Sequence, residues 1–416
     1  MKLSLRTFLL LPALVLALVA LPSVVMAAGG HSLAAGMATA FGSEQDDAQS
    51  ATDNWQPARH GTVPPPTPQP IPPQPMPPAP RPPAPVARTT SRTAHIGNFT
   101  INRVIGDRLS STIYAYTNNT WLYRSDDDGR TWVMVSTNMP VGNFVMSAVN
   151  PNVLYSGSGP DCTAASVTLA PMYKSTDGGF SWTEVPSGLD LKPLLIDPSN
   201  ADNIFAADCG TLYLSTDGGS TWTPKPEAEA DNLWQNYAVT AMASASLAGN
   251  AVTPHWNELF AAGNDVQGTG IVAFSGDQGS TWANISSSRD IWNTITALTV
   301  SPNEAGKLWL VDSQGVWSTA DYGVNWTLSS NGLQDLLRMG AAFNDVEISQ
   351  GGSVYLATAY GMFVQSQSGG AWVRPDVSFG GVNMQSLLVT ESNPQRMWIN
   401  GEDRGGNAVV FTLTVD

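Results

Sequence analysis

Five aspartates stand in the same chemical surroundings. Asp127, Asp177, Asp217, Asp277 and Asp321 each follow a Ser or Thr by two residues, precede a Gly by two and precede a Trp by five. A carboxylate flanked by hydroxyls can act as a general acid or base. A sixth, decayed copy, Gln367-Ser368-Gly369-Gly370-Ala371-Trp372, keeps the Gly and Trp and loses the Asp. Repetition argues against catalysis, because a reaction needs its acid once. It argues for a turn. Asp and Ser accept hydrogen bonds from the backbone of their own turn, and Gly supplies a positive φ.

The flanking residues fit that reading. Alternating apolar runs such as Thr211-Leu212-Tyr213-Leu214 precede the phrase, and a strand resumes at the Trp, so each copy reads as a hairpin connection. The tryptophans at 132, 182, 222, 282, 326 and 372 are spaced by 50, 40, 60, 44 and 46 residues. A supersecondary unit repeated at that interval is the mark of a repeat architecture. Within each interval an inner strand such as Val239–Ser244 is followed by a second such as Asn203–Ala206 or Val354–Ala357, then a third, the turn and a fourth.

Ser-x-Asp-x-Gly-x-Thr-Trp resembles the Asp-box, or bacterial neuraminidase repeat. The first four copies match it well, and the resemblance covers about residue 95 to 416. It implies an all-β β-propeller of four-stranded antiparallel blades with each box on the third-to-fourth turn; the five aspartates read as structural, and the count of strands makes the ring seven-bladed. Three strand-like runs follow Trp372, namely Gln385–Thr390, Arg396–Asn400 and Val409–Thr414. They make three quarters of a seventh blade, and a strand near Arg92–Gly97 is expected to complete it. Six blades would leave these runs unexplained. The blade framework is most similar to the photosystem II assembly factor family, within a group that also holds sialidases, xyloglucanase-type glycosidases and the sortilin ectodomain.

The elements ahead of the repeats divide the chain further. Residues 1–28 carry Lys2 and Arg6, an apolar run and a small-residue site ending at Ala28. They read as an export signal, with an uncleaved anchor as the alternative. Residues 29–63 read as disordered. A linker at 64–90 follows, with 14 prolines in positions 64 to 85, expected to form an extended polyproline stalk. The propeller takes 91–416. A net charge of −15 argues against nucleic acid, whose phosphates need clustered Lys and Arg. Four histidines give little support for a metal site or a serine triad, so no cofactor or metal is expected, and a monomer is.

Successive turns of an antiparallel blade alternate between the two faces of the disc. The boxes occupy one face. The second-to-third turns and the blade-to-blade links occupy the other, and these carry the chemically richer residues. Cys162 and Cys209 fall in such turns of consecutive blades and are predicted to form a disulfide, as export favours. The candidates for a ligand site are Trp234, Tyr237, Asp265, Arg289, Asp290, Trp292, Arg338, Asp403 and Arg404. Aromatics beside carboxylates suit a sugar. A sialidase would need three arginines converging on a substrate carboxylate, and Arg103-Val104-Ile105-Gly106 only partly matches that family's Arg-Ile-Pro motif. The expectation is an exported, non-catalytic binding or scaffolding module for a protein or polysaccharide. A sialidase-like or other glycoside hydrolase is the alternative.

Overall fold

The computed structural model describes residues 95–415, apart from 118–120, 138–139, 141, 161, 163–170, 227–231, 247–253, 287–292, 367–368, 376–378, 380 and 391–394. The expected signal, disordered segment and stalk lie outside these residues.

The described chain folds into seven antiparallel sheets, each made of strands consecutive in sequence. This is a seven-bladed β-propeller built on a four-stranded plan. Blade three shows the plan: Lys192–Asp197 innermost, then Asn200–Ala207, Leu212–Ser215 and Thr223–Lys225. The second strands are the most buried, as in Leu308–Asp312 and Val354–Thr358, where every residue is buried. A strand covered on both faces reads as a continuous apolar run and does not alternate. Short outer strands such as Thr183–Glu184 are exposed, which limits the free sheet edge. In blade six the outer strand shrinks to one bridge, Val364 to Val373. Among the described residues there is one short helix, Gln334–Arg338, in the link before that blade.

Neighbouring blades interlock through large side chains. Phe205 of blade three meets Trp256 of blade four at 5.3 Å between ring centroids. Tyr114 of blade one meets Phe144 of blade two at 5.6 Å.

Ring closure differs from the expectation. The strand His95–Ile96 does not complete blade seven. It pairs with Phe99–Gly106, the innermost long strand of blade one. Among the described residues blade seven has three strands, Asn383–Thr390, Gln395–Glu402 and Ala408–Val415. Side chains make the seam. The Asn400 carboxamide accepts from Val104 N–H at 2.7 Å and donates to Val104 C=O at 3.2 Å. It thereby imitates a β-partner across the two blades. Asp128 adds a second link. Its Oδ1 accepts from Thr390 Oγ1 at 2.8 Å, and Arg396 donates to its carbonyl at 2.7 Å. Arg396 Nε lies 3.3 Å from Asp128 Oδ2, a charge contact and not a directed bond.

Candidate functional site

The repeated turns occupy one face of the ring and tie up their own polar groups. In the copy at 215–222, Ser215 Oγ donates to Asp217 Oδ1 at 2.8 Å and accepts from Gly219 N–H at 2.8 Å. Thr221 N–H donates to Oδ1 at 2.8 Å, and the Thr221 hydroxyl donates to Oδ2 at 2.7 Å. The same four contacts recur around Asp127, Asp177 and Asp277. At Asp321 the missing hydroxyl is replaced by the Asn325 carboxamide, which donates to Oδ2 at 2.7 Å. In the sixth copy Gln365 stands where Ser stood and donates to Gly370 C=O at 2.8 Å. The Thr221 hydroxyl and then its N–H hold the Asp217 carboxyl down to about 2. The Thr131 N–H and then its hydroxyl do the same for Asp127, also to about 2. A carboxylate so anchored is a poor proton donor at neutral pH and a good turn anchor.

On the opposite face a groove of about 840 Å³ opens between blades two, three and four. Its walls are second-to-third turns and blade-to-blade links. Asp208 shapes one wall. Its Oδ1 accepts from Gly210 and Thr211 N–H at 3.0 and 2.8 Å, and its Oδ2 accepts from the Tyr213 hydroxyl at 3.1 Å. Burial and then the Asp208 charge push the Tyr213 phenol above its ordinary pKa. Tyr213 pairs across the sheet with Pro224, and Pro226 and Pro160 extend the apolar lining. Asn232 closes the far side: its Nδ2 donates to Gly210 C=O at 2.9 Å, and its Oδ1 accepts from Trp234 N–H at 3.0 Å. The exposed Gln235 stands beside it.

The disulfide pins this corner. Cys162 and Cys209 are bonded with their Cα atoms 5.3 Å apart, joining blades two and three as the repeat predicted. A disulfide fits an oxidising, exported compartment. Asp190, from the link between those blades, is half-buried in the groove wall. Among the described residues it makes no hydrogen bond or ion pair, and no lysine or arginine lines the groove.

The sequence-derived candidates do not assemble into this site. Trp234 is fully buried and packs edge-on against Trp282 at 5.5 Å. Its face is closed to any sugar, which corrects that expectation. Tyr237 is partly buried against the same cluster. Asp265 accepts from Gln267 and Thr269 N–H in its own turn, and Asp403 does the same with Gly405 and Asn407. Arg338 is exposed and pairs with Asp335 on the short helix. Arg404 is exposed beside Gly381. Arg289, Asp290 and Trp292 lie outside the described residues. Asp190, Tyr213, Pro224 and Pro226 were missed, because nothing in their spacing brings them together. Their one signal is a tyrosine followed within thirteen residues by two prolines.

A second polar group sits on the innermost strand of blade six, Phe343–Ile348. Asp345 and Glu347 are deep in the ring yet keep some accessible surface, as side chains lining a narrow central channel do. Asp345 accepts from Leu387 N–H at 2.7 Å and Val346 N–H at 2.9 Å. Burial, and next the Glu347 charge, push the Asp345 carboxyl up to about 8. Burial raises Glu347 as well, against the pull of Arg108.

No family model matches the chain, and no curated protein matches it. Solved structures do. YCF48 from Cyanidioschyzon merolae is 15% identical, with a TM-score of 0.54 over 78% of this chain and 98% of that one. A structure described as YCF48 bound to D1 peptide is 16% identical, with a TM-score of 0.51 over 79% and 96%. The β-propeller domain of Myceliophteria thermophila Cps50 (Swd1) is 14% identical, with a TM-score of 0.51 over 79% and 100%. At such identities the likeness establishes the fold, a seven-bladed β-propeller.

Proposed function

We propose that the chain is an exported, non-catalytic binding module of the Asp-box type, and that its ligand is an extended protein segment seated in the groove between blades two, three and four. The groove carries this reading. It is large enough for a ligand of several residues and stands within the 300–1,000 Å³ range of built sites. It joins an apolar lane, Tyr213 with Pro224 and Pro226, to the Asp190 carboxylate, which has no partner among the described residues, and to the Asn232 and Gln235 amides. Such a lane fits an extended peptide, whose backbone needs polar partners at intervals and whose side chains need shallow apolar contact. The neighbour titled as bound to a D1 peptide supports protein binding by a propeller of this shape in general.

The alternative, a glycoside hydrolase, is favoured by one observation. Asp345 and Glu347 form a carboxyl pair in which Asp345 keeps its proton near neutrality, and such pairs drive glycoside hydrolysis. Against it, Asp345 is already tied to two backbone N–H groups. The test is a selection of displayed peptides on the full chain, repeated on Asp190→Lys. The binding reading expects wild type to enrich a set of peptides that the variant does not hold. Release of 4-methylumbelliferone from a panel of sugar conjugates, lost in Asp345→Asn, would replace it with the hydrolase reading.

A further inference from the structure

We propose that the groove selects a cationic ligand: the segment it holds presents an arginine side chain, seated on Asp190 beside the Tyr213 ring. This rests on the reading of the groove as a peptide site and adds the class of peptide that it takes.

Asp190 is anchored from both sides and has no counter-charge. Its neighbours Leu189 and Leu191 both pack into the core between blades two and three, where Tyr213 also packs. The half-buried Asp190 carboxylate lines the groove. Among the described residues it makes no hydrogen bond or ion pair. A carboxylate partly withdrawn from water without a partner is costly, and a cation from the ligand offsets that cost. The protein's own cations nearby do not supply it. Lys192 opens the innermost strand of blade three and Lys225 ends its outer strand, and neither lines the groove. Asp208, the other carboxylate of the wall, already accepts from two N–H groups and from the Tyr213 hydroxyl. It adds negative charge and leaves direct pairing to Asp190.

The wall suits arginine better than lysine. A guanidinium is planar, donates to a carboxylate through a two-pronged fork and stacks on aromatic rings. Asp190 offers the carboxylate and Tyr213 the ring, on one wall of the groove. Pro224, which pairs across the sheet with Tyr213, continues the apolar lane with Pro226, and the aliphatic stem of an arginine can lie along it. An ammonium is a compact, strongly hydrated point charge and gains less from the same wall. Long-range charge agrees. The chain carries a net charge of −15, which draws a cationic segment in and repels an acidic one.

The test uses the immobilised full chain and fluorescein-labelled heptapeptide pools, random at every position except the fourth, which is fixed as Arg, Lys, citrulline or Glu. Citrulline keeps the shape of arginine and removes its charge. Asp190→Asn keeps the size of the carboxylate side chain and removes its charge, and an unchanged thermal midpoint checks its fold. Wild type is expected to retain the Arg pool at least about fivefold better than the citrulline and Glu pools, with Lys between them, and Asp190→Asn is expected to lose that preference. Equal retention of all four pools, released by Asp190→Lys, would overturn the arginine seat and keep the groove as a peptide site. An Arg preference that survives in Asp190→Asn would overturn the seat too, by placing the cation elsewhere. Retention of no pool, or equal retention that Asp190→Lys does not release, would overturn both readings.

Discussion

Replacing Asn400 by Ala should open the ring at its seam. The Asn400 carboxamide satisfies both the N–H and the C=O of Val104, at 2.7 and 3.2 Å, and also donates to Ser386 Oγ at 2.9 Å. Val104 and Asn400 are both buried, at 2% and 3% exposure, so bulk water does not reach the freed groups readily. An orphaned buried backbone group costs about 1–3 kcal/mol. Two of them set a range of roughly 2–6 kcal/mol. Denaturation in guanidinium chloride measures it as a lower midpoint at unchanged slope. Surface substitutions away from such features stay within about 0.5 kcal/mol. A loss below about 1 kcal/mol would refute the claim that this carboxamide, and not a shared strand, closes blades one and seven.

Two further substitutions and the reduction of the disulfide probe other parts of the molecule. Ser215→Ala leaves the Gly219 N–H, bonded to Ser215 Oγ at 2.8 Å, without its acceptor, and should destabilise by about 1–3 kcal/mol; a neutral result in thermal unfolding would remove the turn's structural role. Asp345 binds a proton more tightly folded than unfolded, since its carboxyl is raised to about 8 from 3.8. Its contribution to stability is therefore greatest at acidic pH and falls as pH rises from about 4 to 8. Asp345→Asn should flatten that part of the stability–pH curve, and an unchanged curve would count against the buried carboxyl. Reducing the Cys162–Cys209 bond frees a loop with a sequence separation of 47, which on chain entropy costs about 4 kcal/mol. Urea midpoints with and without reductant would show the shift, and coincident midpoints would contradict it.

Much of the framework is legible in the chain because it repeats. Six copies of one turn fix the blade interval, and the disulfide follows once two cysteines fall in equivalent turns of adjacent blades. Ring closure is less legible, since it depends on single residues that break the repeat. Asp128 stands where the second and third copies have Gly178 and Gly218, and it holds a positive φ of 54° to reach Thr390 and Arg396. At Gly129 a Cβ would fall 2.2 Å from the Trp398 ring, so the first copy also needs glycine for a contact made 269 residues away. The groove is least legible. Asp190, Tyr213 and Pro226 come from a link, a third strand and a strand end, and only the stacking of blades brings them to one wall. Trp234 shows the opposite limit: an aromatic in a polar link can as readily plug the core beneath its own loop.

On the proposed function the groove, and not the channel, holds an extended peptide. The most direct measurement is fluorescence anisotropy of one library-selected peptide on the full chain, compared between wild type and Asp190→Lys. The variant changes one half-buried side chain that has no partner among the described residues, so the fold should be unaffected. At least a tenfold loss of affinity is expected in the variant and none in Asp345→Asn. Affinity unchanged in Asp190→Lys and lost in Asp345→Asn would contradict it and move the site to the channel.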